Sequence, residues 1–190
     1  SGEFRNYWFE SGTPLFLIKL IKERNYNVAE LDQLTIGELA FSNYEIETLE
    51  IVPLLYQTGY LTIKDFDPQR QLYTLGFPNY EVENAFLTHL LGAFSQVEPG
   101  LSQGHLWSMI EALQQNKLTQ FFDTLSIFFA QLSYDLHIKQ EKYYQSIFYL
   151  IFNLIGLQIA AEVTTNRGRI DAVIELSDRI YLFEFKINSS

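Results

Sequence analysis

The sequence predicts a mixed α/β protein in which helices dominate and a short run of strands closes the chain. The 190 residues are 47% hydrophobic and 16% aromatic, enough apolar side chain to build a substantial core. Apolar residues recur at helical spacing through most of the chain, and the pattern changes to β-type runs joined by short turns after Leu157. We expect two regions, residues 1–97 and 98–190, divided at the sequence EPGLSQG.

The first region is predicted to begin with three small helices. Thr13 followed by Pro14 is a typical helix start, and the apolar spacing of PLFLIKLIKER continues the helix to basic residues that suit a C-terminus. A second helix is expected from Thr35, because Thr35 and Glu38 match a capping box. A third is expected from about Tyr44 to Gln57.

A hairpin is predicted to follow these helices. The β-rich runs Tyr60–Ile63 and Leu72–Leu75 flank the turn-prone sequence DFDPQRQ. Three small helices followed by a two-stranded wing is the winged-helix order, so we expect a winged-helix-like region. Its third helix is acidic where a DNA-reading helix would be basic, which favours a packing or linker module.

The middle of the chain is predicted to be helical. Helices are expected over about Tyr80–Phe94, Gly104–Gln115 and Leu118–Ser133. The last of these carries large apolar residues at helical spacing, which we interpret as core rather than as a ligand site. This stripe consists of Phe121, Phe122, Leu125, Phe128, Phe129 and Leu132.

The end of the chain is predicted to form a helix and a three-stranded meander. The helix EKYYQSIFYLIFNLIG is expected to end at Gly156. The strands LQIAAEVTT, IDAVIEL and IYLFEFKI follow it, joined by the turns NRGR and SDR. Connections this short force neighbouring strands to be antiparallel.

Composition excludes several classes of protein. The absence of cysteine excludes disulfides and Cys-ligated zinc or iron–sulfur sites, and fits a reducing cytoplasmic compartment. His89, His105 and His137 match no common metal-ligand spacing, so we interpret them as surface or core residues. The longest apolar stretch, SIFYLIFNLIGLQIAA, is too short and too polar to span a membrane. A net charge of −10 is unfavourable for a surface that wraps a polyanion.

Three charged residues in the last two predicted strands form a candidate metal site. Folding the hairpin about its SDR turn places Asp171 close to residues 185–186, and Glu184 and Lys186, two apart, share a face. Two carboxylates on rigid strands suit Mg²⁺, or Mn²⁺. The backbone carbonyl of Phe185 is a candidate third ligand. A lysine beside such an ion can hold or help deprotonate an attacking water.

The alternative interpretation of these residues is a salt bridge on a solvated hairpin face. Phe183 and Phe185 alternate with the charges, and the neighbouring strands are apolar, so we expect these strands to be buried. Burial of unpaired charges is costly, and that cost favours a functional site over a structural ion pair.

The spacing D–x(12)–E–x–K, placed after a helix and a strand, resembles the PD-(D/E)xK nuclease superfamily. That resemblance implies a core of a helix, three strands, a second helix and a fourth strand. The segments YYQSIFYLIFNLIG, EVTTNRGRIDAVIE and YLFEFK resemble the nuclease-like domain of a bacterial family in which it follows an AAA-ATPase-like region. NYWFESGTPLFLIKLI and LLYQTGYLTIKDFD resemble the end of that ATPase-like region.

The resemblance implies a role for each matching position. Asp171 and Glu184 match metal ligands, and Lys186 matches the catalytic lysine. Glu141 matches the acidic residue of the core helix, with Gln145 one turn later as the rival. Three further residues are weaker candidates, Glu162 for an outer contact to the site and Arg167 and Arg169 for phosphate contacts, and each is equally compatible with an ordinary exposed position.

The resemblance implies Mg²⁺-dependent phosphodiester hydrolysis, with DNA as the expected substrate. The alternative is a catalytically inactive nuclease-like module that regulates or tethers the ATPase-like part. The chain contains no glycine-rich phosphate loop, so ATP is expected to bind only in a preceding region outside it.

The ends of the sequence suggest a fragment. The opening SGEF resembles a cloning scar, and the chain stops four residues after Lys186, before a second helix and fourth strand. The strand Ile180–Ile187 is therefore expected to be an exposed edge. We expect homodimerisation through that edge.

Overall fold

The computed structural model describes residues 13–24, 26, 28–31, 34–38, 51–130, 140–159, 162–165 and 170–185. For some positions in the helices and strands, Asp171 among them, only the placement of the backbone is described. The chain divides into two units, Ser1–Phe86 and Leu87–Ser190. The division predicted at about residue 97 lies further along the chain and stays a prediction.

The first unit combines helices with a small sheet. Its elements in chain order are α1 (Thr13–Glu23), a 3-10 helix (Val28–Leu31), β1 (Leu34–Gly37), α2 (Ile51–Gln57), β2 (Thr62–Asp67), β3 (Leu72–Gly76) and the start of α3 (Tyr80–Ser95). The predicted first helix is confirmed. The third is confirmed over Ile51–Gln57, and its predicted residues 44–50 lie outside the described residues.

The predicted helix from Thr35 is wrong, because that segment is strand β1. β1 pairs antiparallel with β3, which places Leu34 opposite Leu75 and Ile36 opposite Tyr73. The apolar positions of β1 thus match those of a strand far along the chain, and this tertiary pairing overrides a local capping signal. The sheet has the order β1-β3-β2.

The predicted hairpin is confirmed, but β2 is longer than expected and runs through to Asp67. The Asp67 carboxylate accepts hydrogen bonds from the backbone N–H groups of Gln69 (2.9 Å) and Arg70 (3.1 Å), which closes the turn directly after the strand. Phe66 packs on Tyr73 across the two strands with ring centroids 4.6 Å apart. Residues predicted as turn therefore belong to a paired strand.

The second unit contains the remaining helices and a second sheet. After α3, its elements are α4 (Pro99–Gln114), α5 (Leu118–Ile127), α6 (Gln140–Ile159), β4 (Glu162–Thr165), β5 (Ile170–Glu175) and β6 (Ile180–Phe185). The predicted order of a helix followed by a three-stranded antiparallel meander is confirmed, with strand order β4-β5-β6. None of the described helices is long and apolar enough to cross a membrane.

Three predicted helix boundaries are corrected. α4 begins at Pro99 instead of Gly104, because proline fits a first helical position and the backbone N–H of Ser102 already donates to the Glu98 carbonyl (2.9 Å). α5 ends at Ile127, and residues 131–133 of the predicted helix lie outside the described residues.

α6 does not end at Gly156 but continues to Ile159, so the first strand begins at Glu162 instead of Leu157. Gly156 is buried within the helix, where the packing of Leu154 and Ile155 stabilises the helical backbone.

The core of the second unit is built from aromatic side chains. Phe121 of α5 packs against Phe183 of β6 with ring centroids 5.1 Å apart, and Phe152 of α6 packs against the same ring at 5.0 Å. The predicted core role of the α5 stripe is confirmed for three residues, but Phe122 is 46% exposed. Leu132 lies outside the described residues. The three buried members are Phe121, Leu125 and Phe128.

We predict that Gly92→Ala lowers the free energy of unfolding by about 1–3 kcal/mol. A Cβ added to Gly92 in α3 would lie 3.1 Å from the Val97 carbonyl oxygen and 3.1 Å from Cγ of Pro99. The Val97 carbonyl oxygen can move away from the added Cβ only if the backbone between α3 and α4 shifts. Gly104→Ala is the matched control, because its Cβ meets nothing within 4 Å and alanine favours a helix by up to about 1 kcal/mol. Urea denaturation of both variants checks the prediction, and equal stabilities would contradict it.

Candidate functional site

The β5–β6 hairpin positions the candidate site. Its short turn is closed by the backbone N–H of Leu176, which donates to the carbonyl of Arg179 (2.8 Å). Within the turn, the Arg179 guanidinium donates to the Asp178 carboxylate. This hydrogen bond lowers the pKa of Asp178 from its ordinary value. A closed turn of fixed length sets the register of the two strands.

In that register Asp171 lies directly opposite Glu184. The register predicted from the sequence, which put Asp171 next to residues 185–186, is wrong by one residue. Directly opposite positions of an antiparallel pair share a face, with Cβ atoms about 4.5–5.5 Å apart. The strand pairing therefore brings the two carboxylate positions together on one face of the sheet, as a shared metal site requires.

That face of the sheet is open. The alternate positions Ala172, Ile174 and Phe183 are buried and face the core. Glu184 is exposed, and Leu182 two residues before it is 76% exposed. The expectation that the charges lie in buried strands is wrong, because each strand buries only one face. The cost of burial therefore does not argue against an ordinary ion pair on this face, and an ion or substrate can reach Glu184.

Two core-facing side chains hold β6 against the helices. The Tyr181 hydroxyl donates to the Leu113 carbonyl at the end of α4 (2.7 Å) and lies 3.1 Å from Oδ1 of Asn116. Phe183 packs among the aromatic rings of α5 and α6. Because side chains alternate along a strand, these contacts direct the intervening positions to the open face. No sequence motif marks Tyr181; its alternation with Leu182 along the strand was the available signal.

For the other predicted site residues, the structure gives only a position in a helix or strand, or does not describe the residue. Glu141 lies in the first turn of α6, and Gln145 is half-buried one turn later. α6 packs against β4 and β5. Phe185 is the last residue of β6 and lies opposite Ile170. Lys186, Arg167 and Arg169 lie outside the described residues.

Glu162, the candidate for an outer contact to the site, lies at the start of β4, the end of that strand away from the β4–β5 connection. It is the first residue of β4 and lies opposite Glu175. Glu175 is four residues from Asp171 along β5, about 13 Å at the usual rise per residue. The strand register thus places Glu162 at the far end of the open face from the Asp171–Glu184 pair.

The donor set of the pair fits a hard divalent cation. Across the described part of the chain, no group of three or more His, Cys, Asp or Glu side chains is arranged to hold a metal ion. Mg²⁺ needs fewer protein ligands, because it retains several waters and commonly binds one or two carboxylates. Two opposed carboxylate positions on an open face satisfy that requirement.

Comparison with known proteins gives one family match and one relative. Residues 139–190 match the family described as the PD-(D/E)XK nuclease superfamily. Over 192 aligned residues the chain is 33% identical to "Uncharacterized protein in vnfD 5'region" of Azotobacter chroococcum mcd 1. The alignment covers 97% of this chain and 37% of that relative, so the chain spans about 37% of the relative's length. No solved structure matches the chain.

We predict that Tyr181→Phe lowers the free energy of unfolding by about 1 kcal/mol, because the variant loses the hydrogen bond to Leu113 and keeps the ring packing. Tyr80→Phe, at a residue that is 51% exposed, is the control and should leave stability within about 0.5 kcal/mol. Chemical denaturation followed by circular dichroism measures both. A Tyr181→Phe variant as stable as the control would show that this contact does not hold β6 in place.

Proposed function

We propose that the C-terminal strands form a Mg²⁺-dependent phosphodiesterase site that acts on nucleic acid, with DNA as the expected substrate. The observation that carries this proposal is the direct pairing of Asp171 with Glu184 on an open sheet face. This pair lies within residues 139–190, the segment that matches the PD-(D/E)XK nuclease superfamily. The strand register is compatible with the chemistry that the family match suggests.

Each proposed residue has a separate role. The Asp171 and Glu184 carboxylates would hold the cation, and the Phe185 carbonyl would supply a third oxygen. Lys186 follows Glu184 by two residues, so continuation of the strand would place it on the same face, where its ammonium would hold the attacking water or balance charge on a phosphoryl oxygen. When bound, the cation would polarise the phosphate and lower the pKa of a bound water.

Supporting roles are proposed for the neighbouring residues. Glu141, or Gln145 one turn later on α6, would hydrogen-bond the attacking water. Arg167 and Arg169, in the segment between β4 and β5, would contact the substrate phosphate. Glu162 is left out of the proposed site because of its distance along the open face.

The first unit is proposed to be winged-helix-like and to form the end of an ATPase-like region, whose ATP site lies in a preceding part outside this chain. Pairing of β1 with the hairpin in the order β1-β3-β2 supports the first part of this proposal. With a net charge of −10, the chain has little cationic surface of its own for a polyanion. We propose that other parts of a longer protein supply most of the affinity for nucleic acid.

The second candidate function is a catalytically inactive, nuclease-like interaction module. Two observations support it: the net charge of −10, and the exposed side chains of Ile180 (64%) and Leu182 (76%) beside the carboxylate pair. Exposed apolar side chains on a structured strand are typical of contact surfaces. Cation binding and cleavage distinguish this module from the nuclease.

We predict that the 190-residue chain binds Mn²⁺ saturably and that Asp171→Asn weakens this binding at least about tenfold, because one of two charged ligands is lost. Isothermal titration calorimetry measures the affinity. Glu175→Gln is the matched control, since it removes an exposed carboxylate from the same face four residues away and should bind as the wild type does. Absence of Mn²⁺ binding by the wild type would favour the interaction module.

We predict that the protein at its natural length cleaves DNA with Mg²⁺ or Mn²⁺, and that Asp171→Ala and Lys186→Ala each reduce the rate by about 100-fold or more. The physical reason is loss of a metal ligand in one variant and of the cation beside the reacting phosphate in the other. Fluorescent single- and double-stranded DNA and RNA report cleavage, and circular dichroism confirms folding. If the wild type cleaves none of these substrates, the nuclease proposal fails.

A further inference from the structure

We infer that Asn116, just after α4, is a positioning residue for the candidate metal site. Its side-chain amide contacts the hydroxyl of Tyr181 and thereby fixes strand β6. Tyr181 lies three residues before Glu184 on that strand. The inference rests on the proposed function, because it concerns the same site.

The backbone of Asn116 has an unusual conformation. Its φ angle of 54° lies in the left-handed region, which glycine adopts without steric cost. The end of α4 is a Schellman motif, in which the backbone N–H of Asn116 donates to the Leu113 carbonyl (3.0 Å) and that of Lys117 to the Ala112 carbonyl (2.7 Å). Glycine is the most common residue at the left-handed position of this motif, and asparagine is a less common alternative.

The side chain of Asn116 explains why asparagine occupies this position. Its amide oxygen lies 3.1 Å from the Tyr181 hydroxyl, which also donates to the Leu113 carbonyl (2.7 Å). Leu113 therefore accepts hydrogen bonds from both the backbone of Asn116 and Tyr181, so a single carbonyl joins the helix end to the strand. Glycine at position 116 would preserve the helix end and lose the amide contact.

The Tyr181 contact complements the apolar packing of β6. Phe183 packs against Phe121 and Phe152, and such packing is non-directional. Hydrogen bonds are directional, so the Tyr181 hydroxyl fixes the strand relative to the end of α4. Ligands must be held within about 0.5 Å of their productive positions, and Glu184 continues the same strand. These contacts lie on the core-facing side of β6 and are independent of what covers its edge or its open face.

Gln96 provides a matched comparison in the same unit. It directly follows α3 with a φ angle of 60°, so its backbone has the same left-handed conformation as that of Asn116. Glycine relieves the same backbone cost at both positions, but only at Asn116 does the substitution remove the contact with Tyr181. A difference between the two glycine variants therefore reports on the Asn116 side chain.

Isothermal titration calorimetry with Mn²⁺ tests the inference on the 190-residue chain. Asn116→Gly should bind Mn²⁺ about three- to tenfold more weakly than the wild type, a range that corresponds to the loss of one hydrogen bond. Gln96→Gly should bind as the wild type does. Circular dichroism verifies that both variants are folded at the assay temperature. A change in global stability alone then leaves the affinity of the folded protein unaltered.

Combination with Tyr181→Phe tests whether Asn116 acts through Tyr181. Tyr181→Phe should weaken Mn²⁺ binding by itself, because it removes the hydroxyl that both contacts share. Addition of Asn116→Gly to this variant should then change the affinity by less than about twofold, since interacting residues have non-additive effects.

The outcomes separate this inference from the proposed function. A wild type that binds no Mn²⁺ contradicts the proposed function and the inference with it. Saturable binding by the wild type with unchanged affinity in Asn116→Gly overturns the inference alone. Equal losses in Asn116→Gly and Gln96→Gly, or full additivity with Tyr181→Phe, would also overturn it, because the effect would not then arise from the contact between Asn116 and Tyr181.

Discussion

The register of β5 against β6 is the constraint on which the C-terminal unit depends. Because successive side chains alternate between faces, a slip of one residue would exchange the core-facing and open faces of a strand. Burial of Ala172, Ile174 and Phe183 opposes such a slip, since it would expose their apolar surface. The same pairing that buries the core therefore places Asp171 opposite Glu184.

The open face combines features that a single role does not explain. A carboxylate pair lies at one end, and the exposed Leu182 and Ile180 continue along β6 from it. Carboxylates can be satisfied by water or a cation, whereas exposed apolar side chains gain free energy only from another apolar surface. A cation site and a contact surface can therefore occupy adjacent rows of one sheet without competing for the same side chains.

Sequence patterns were most reliable where local and tertiary preferences agree. The helix from Thr13, the hairpin and the final meander were predicted because spacing and turn residues favour the same structure that packing selects. Predictions failed where a local signal competed with a distant partner. The capping pattern at Thr35 yielded to pairing with β3, and Gly156 did not end a helix whose flanking residues are buried.

The sequence alone determined the fold class, the order of helix and strands at the C-terminus, and the presence of two acidic residues on adjacent strands. These features depend on the period of apolar residues and the length of turns, both of which are local. Tertiary structure decided the register of β5 against β6, to within one residue, and which face of that sheet is open. Both depend on which side chains the helices α5 and α6 bury, notably Phe183 against Phe121 and Phe152. Such contacts join residues far apart in the chain, and no local pattern encodes them.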